Sequence, residues 1–131
     1  KLSETSVGLA GEFIAAAALV ELGVQTMWSP VDGCDLLCYD HSFYRVEVKT
    51  ASDTEAARPK MFRWGTCRGS KKKVMVTTDH CDVVALVALP LRRVVFRSTQ
   101  QITGKNTRLA ASRFVDGCEQ LTWAEAKKWK P

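Results

Sequence analysis

Between Arg45 and Ser52 the chain reads RVEVKTAS, and within it a carboxylate, Glu47, stands two residues from an ammonium, Lys49. In an extended strand this spacing sends Glu47 and Lys49 to one face and Val46, Val48 and Thr50 to the other. Asp35 lies twelve residues before Glu47, at the head of a second apolar run, DLLCY. If the two runs pair as a hairpin, Asp35 near the start of one strand approaches Glu47 near the end of the next. Two carboxylates and an ammonium at one end of a sheet suit the hydrolysis of a phosphodiester. A hard cation such as Mg²⁺ prefers oxygen and commonly takes only one or two protein carboxylates, leaving waters and substrate phosphate to complete its shell. The backbone carbonyl of Val48 is the expected third protein ligand, and Mn²⁺ is expected to substitute for Mg²⁺. Such an ion acidifies an attacking water and neutralises charge as it builds on the phosphate. Lys49 can orient or deprotonate that water and stabilise the phosphate. Without a cation, Asp35 and Glu47 repel and titrate as a coupled pair. Taken alone, the Glu47/Lys49 spacing equally describes a solvated strand face.

The elements that must position these groups can be read from pattern. Residues 3–22 predict a helix, capped by Ser3 or Thr5, with Glu4 in its first turn and Gly23 just past its end. It is apolar or small around nearly its whole circumference, which predicts burial on more than one side. Glu12 sits inside it and shares a face with Gly8, Ala15 and Ala16. Strands are expected over 24–28, 34–40 and 43–50, the last two as a hairpin, and over 60–67 and 73–78 around a basic turn, GSKKK. The apolar run 82–89 reads as a central strand buried on both faces, and 92–98 as a half-exposed one. The stretch 99–117 reads as loop with a helical turn near Arg108–Phe114. Thr122 and Glu125 fit the capping box of a short final helix through Trp129. This order predicts an α/β (α+β) domain, a central mixed β-sheet flanked by helices, filling residues 1–131 as one unit.

Composition bounds what such a domain can be. The 131 residues carry a net charge of +5. Arg58, Lys60, Arg63, Arg68, Lys71, Lys72 and Lys73 fall in one stretch that holds no acidic residue but includes Phe62 and Trp64. Basic residues with interleaved aromatics are the footprint of a surface that binds DNA phosphates. No apolar run is long enough to cross a membrane, and KLSETS does not read as a signal peptide, with no apolar segment behind a basic start. The five cysteines contain no C-x-x-C pair, which argues for free thiols in a reducing cytoplasm. His41 and His80 read as turn residues rather than ligands.

Glu12 on a first helix, then Asp35, then Glu47-Val48-Lys49, is an order that resembles the PD-(D/E)xK nuclease superfamily. GLAGEFIAAAALVELG, DLLCYD and YRVEVKTAS are similar to two of its branches: the Holliday-junction resolvases of archaeal and phage type, and the PD-(D/E)xK homing endonucleases. The likeness spans roughly residues 7–97. It implies a restriction-endonuclease-like core, with Glu12, Asp35 and Glu47 as acidic site residues, Lys49 as catalytic lysine, and Glu12 reaching the metal through water. The proline of the family name is absent: Cys34 precedes Asp35, and Asp32 is a rival first acid. The chain shows little machinery for base readout, so the expectation is a Mg²⁺-dependent endonuclease that resolves four-way junctions as a homodimer. In a homing-type alternative it cuts duplex DNA, with loops 58–73 and 104–113 entering grooves. A third reading is an inactive nucleic-acid-binding module. The resemblance to phage enzymes leaves open a phage-encoded protein acting in its host cell.

Overall fold

The computed structural model describes residues 1–30, 32–68 and 74–130, Arg68 by its backbone alone. Lys71, Lys72 and Lys73 of the expected basic surface therefore lie outside the described residues. The first helix, α1 (Glu4–Glu21), starts where its cap predicts: the Ser3 hydroxyl accepts the Ser6 N–H at 3.2 Å. It ends into Gly23, whose φ of 82° is open to glycine and costly for other residues. Strands β1 (Gln25–Trp28), β2 (Leu36–Tyr39) and β3 (Phe43–Ala51) follow, then β4 (Met61–Gly65), β5 (Cys67–Arg68), β6 (Val74–Met75), β7 (Val83–Ala88), β8 (Arg93–Ser98) and β9 (Asn106–Ala110). Helix α2 (Cys118–Lys127) comes last.

Five strands form the central sheet in the order β1-β2-β3-β7-β8. Neighbours are antiparallel except β3 and β7, so the sheet is mixed, as expected. Every residue of β7 is buried. Val83, Ala85 and Val87 face a core built with Ala15 and Leu19 of α1 and Trp123 and Ala126 of α2. Val84, Leu86 and Ala88 face a second core, built with Phe62, Trp64, Leu109 and Phe114. This second face is covered by an antiparallel ribbon of β4 and β9, in which Arg63 stands opposite Arg108.

Three segments depart from the sequence reading. The stretch expected to be a loop contains β9, which alternates outward Asn106 and Arg108 with the more enclosed Thr107 and Leu109. That alternation is a strand signal, but it is too short to stand out without its partner. The final helix begins four residues before Thr122. The Thr122 hydroxyl donates to the Cys118 carbonyl and accepts the Phe96 N–H at 2.9 Å, so it binds a neighbouring strand instead of capping its own helix. Thr66 also breaks the expected strand 60–67 in two, its N–H and hydroxyl turned to the carbonyls of Lys105 and Gly104.

Candidate functional site

Strand β3 outlasts β2. Their pairing runs from Tyr39–Phe43 to Leu36–Val46, and the Asp35 N–H adds one bond to the Val46 carbonyl. Beyond it β3 continues to Ala51 with β7 along one side. On the other side the Asp35 carboxylate takes over, accepting the Val48 N–H at 2.7 Å through Oδ2. Within a strand the N–H and C=O of one residue point the same way. The Val48 carbonyl therefore faces this same open edge.

Two cavities meet here. One, of about 500 Å³, is lined by Glu12, Asp35 and Glu47 together with Leu9, Phe13 and Trp28. The other, of about 1050 Å³, shares those three acids and adds Gly8, Val48 and Lys49, with Glu55 and Arg63 toward the ribbon. The four side chains singled out from sequence thus border one hollow, three of them both openings. Asp32, the rival acid, lines only the smaller cavity of the two. Glu12 is half-buried, and its pKa is raised, first by burial and then by the Asp35 charge. The strand faces divide as the alternation predicts: Val46 and Val48 join the helix-side core, and Lys49 reaches the other face, donating to the Cys67 carbonyl of β5 at 2.8 Å.

Helix and strand come together at Gly11. A Cβ there would stand 1.7 Å from the Thr50 Oγ1, so only glycine lets α1 lie close enough to hold Glu12 at the hollow. Gly8, on the face that Glu12 shares, is not a point of close approach: a Cβ there meets nothing within 4 Å.

The basic residues divide. Arg63 points outward from β4, and its guanidinium lies 3.7 Å from Glu55 and donates to the Asn106 side-chain oxygen. Glu55 also accepts from Arg108 at 2.8 Å, the bond that most lowers its pKa. Arg58 and Lys60 are exposed in the turn leading to β4. Asn106 and Arg108 belong to the stretch 104–113 expected as a groove-entering loop, and the pairing of β4 with β9 sets them beside Arg63 across more than forty positions; Glu55, which bridges Arg63 and Arg108, was not singled out.

Among the described residues, no three His, Cys, Asp or Glu side chains converge enough to hold a metal ion by themselves. The five cysteines are free thiols, and burial pushes Cys38, Cys81 and Cys118 each up to about 11, away from thiolate chemistry. His41 and His80 both sit in turns. No described helix is long and apolar enough to cross a membrane.

The fold is shared with a solved bacterial homing endonuclease, I-Ssp6803I. The two superpose with a TM-score of 0.75 over 99% of this chain and 100% of that one, at 11% sequence identity. No protein-family model and no curated protein matches the sequence.

Proposed function

We propose that this chain is a metal-dependent DNA endonuclease of the PD-(D/E)xK type that acts on duplex DNA. The observation that carries the reading is the hollow where β2 parts from β3. It holds three carboxylates beside an open strand edge, with a lysine on the same strand, in a fold shared with a homing endonuclease. The donor set fits Mg²⁺ or Mn²⁺: two carboxylates, Asp35 and Glu47, and the Val48 carbonyl leave the remaining positions to water and phosphate. It does not fit a closed structural ion such as zinc, which wants four protein ligands. When bound, the ion supplies an acidified water and charge neutralisation on the phosphate. The chain's own residues do the rest. The Val48 N–H holds the Asp35 carboxylate in place. Glu12, with its raised pKa, can take up a proton from a water in the hollow. Lys49, parked on the Cys67 carbonyl, has a flexible stem that lets its ammonium move onto an arriving phosphate.

The ribbon favours duplex DNA over a four-way junction as substrate. A two-stranded β-ribbon fits the major groove, where arginine reads guanine and asparagine reads adenine. The outward face of β4 and β9 carries Arg63, Arg108 and Asn106, and it adjoins the larger cavity. The junction-resolving reading needs no such base-reading face.

The test uses a pool of linear duplexes with a randomised core and a four-way junction built from fixed arms, each with Mg²⁺ and with EDTA. Sequence-selected cutting of the duplex pool in Mg²⁺ alone is expected, and Glu47→Ala is expected to bind DNA without cutting it. Symmetric nicking of the junction restores the resolving activity. Cutting by Glu47→Ala at the normal rate removes the site assignment.

A further inference from the structure

The outward face of the β4–β9 ribbon is laid out as a ladder of polar side chains. Arg63 of β4 stands directly opposite Arg108 of β9, and Asn106, two residues before Arg108, stands opposite Gly65. All three side chains are exposed. Glu55, on the connection before β4, joins them from one side. Its carboxylate accepts the Arg108 Nε at 2.8 Å and lies 3.7 Å from the Arg63 Nε. The Arg63 Nη1 donates to the Asn106 Oδ1 at 2.8 Å.

These bonds decide what the ladder can offer a ligand. A guanidinium has donors only. Its bond to Asn106 therefore turns the amide oxygen toward Arg63 and leaves the two amide N–H groups for another partner. The acceptors are thereby spent, the Asn106 oxygen on one arginine and the Glu55 carboxylate on two. What remains outward is a row of N–H donors, and it adjoins the larger cavity, which Glu55 and Arg63 line.

We propose that this ladder recognises guanine at two or more of three consecutive base pairs, with Glu55 as the positioning residue that aims its arginines; this rests on the duplex-DNA reading above. In the major groove guanine alone presents two acceptors, N7 and O6. Adenine sets an amino donor beside its acceptor, thymine has one acceptor beside a methyl, and cytosine shows only a donor. A donor-only face matches guanine and sets N–H against N–H at adenine and cytosine. Asn106 departs here from its ordinary pairing with adenine, which needs the oxygen it has given to Arg63. The spacing agrees. Two residues of β9 separate Asn106 from Arg108, about 7 Å of strand, and two base-pair steps of about 3.4 Å cover the same length. Glu55 holds both arginines at Nε, so their stems are ordered before DNA arrives and their outer N–H groups are left to the base. An unheld arginine turns as readily to a phosphate, which carries no sequence.

A binding selection from a randomised duplex pool, run in EDTA, reads the preference apart from cutting. Wild type is expected to enrich sites with at least two G·C pairs in three consecutive positions, bound about tenfold or more tighter than the same site with A·T there. Replacing those guanines with 7-deazaguanine, which lacks the N7 acceptor but still pairs with cytosine, should cost about tenfold in affinity. Glu55→Ala should hold or gain affinity for duplexes without the site and bring discrimination down to within about threefold. Glu55→Gln keeps an acceptor oxygen and should restore part of the discrimination. A Glu55→Ala variant that keeps full discrimination, or that loses both affinities together, overturns the positioning role. A wild type that selects adenine, or that cuts duplex DNA in Mg²⁺ with no guanine preference, overturns the guanine assignment and leaves the endonuclease standing. Guanine-selective binding without any cutting in Mg²⁺ refutes the endonuclease and leaves the ladder standing. Failure to bind any duplex overturns both.

Discussion

Two boundaries of the central sheet at which a carboxylate meets a strand N–H are built for different ends. At β8, Glu119 of α2 accepts the Val94 N–H at 2.9 Å, Thr122 accepts the Phe96 N–H and Gln101 accepts the Ser98 N–H. Arg93 pairs with both Glu119 and Asp116, so the charge that closes this edge is itself neutralised. At β3, Asp35 accepts the Val48 N–H, but the charged side chains that line the smaller cavity with it are Glu12, Asp32 and Glu47. One edge is sealed and charge-balanced, as an exposed strand edge must be to avoid pairing with another chain. The other is left open with its negative charges gathered. Gathered acids raise the free energy of the fold and persist where a ligand relieves them.

Removing the two carboxylates should therefore have opposite signatures. Asp35→Ala is expected to lower duplex cleavage by about a thousandfold or more, the scale of losing a group that stabilises charge in the transition state. Its Val48 N–H faces a cavity that water can enter, so thermal unfolding should change by less than about 1 kcal/mol. A large loss of stability with cleavage intact would reverse the roles assigned to the two edges.

Gly11 couples the open edge to the core. Gly11→Ala drives a methyl into the Thr50 side chain, whose Oγ1 is buried without a hydrogen-bond partner among the described residues. Overpacking at such a contact is expected to cost about 2–3 kcal/mol. Cleavage should fall with it, because α1 can relieve the clash only by carrying Glu12 away from Asp35. Adding Thr50→Gly should return most of the stability, and denaturant unfolding of the single and double variants measures the recovery.

At the sealed edge the expected loss is of stability alone. Glu119→Ala leaves the Val94 N–H and the Arg93 guanidinium short of an acceptor, at a cost of about 2 kcal/mol. Cleavage per folded molecule should remain at the wild-type rate. A loss of activity in the folded protein would show that α2 communicates with the hollow.

The open edge was more legible in sequence than the sealed one, for a physical reason. Glu12, Asp35, Glu47 and Lys49 are charges set in apolar runs, and hairpin register alone brings Asp35 opposite Glu47, over a short connection. The α1 boundaries followed from local chemistry as well, the Ser3 hydroxyl at one end and the positive φ of Gly23 at the other. Contacts between distant segments were not legible. Nothing near Thr122 says that its hydroxyl serves β8, so the residue read as a cap. Nothing near Asn106 says that β4 lies beside it, so β9 read as loop. Gly11 and Gly8 are equivalent in the helix pattern, and only the packing of α1 over β3 shows that Thr50 sits beneath one and not the other.

The smallest effect sharpens the comparison most directly, because it asks whether the open edge is destabilising as it stands. Burial, and after it the Asp35 charge, hold the Glu12 pKa above its unfolded value. A carboxyl raised in this way binds its proton more tightly in the folded protein. It favours the fold when protonated, and that contribution is lost as pH rises through the folded pKa. At neutral pH the ionised Glu12 therefore works against folding. Glu12→Gln should remove that penalty and raise the Tm at pH 7 by a degree or two, roughly 0.5 kcal/mol, since solvent reaching the half-exposed group screens most of the repulsion. The advantage over wild type should vanish below the ordinary glutamate pKa of about 4.3, where both side chains are neutral. Melting curves of the two proteins across that range decide it. A Glu12→Gln variant less stable than wild type at pH 7 would mean that the carboxylate is held by a cation-like partner even in the free protein, and that the open edge is balanced much as the sealed one is.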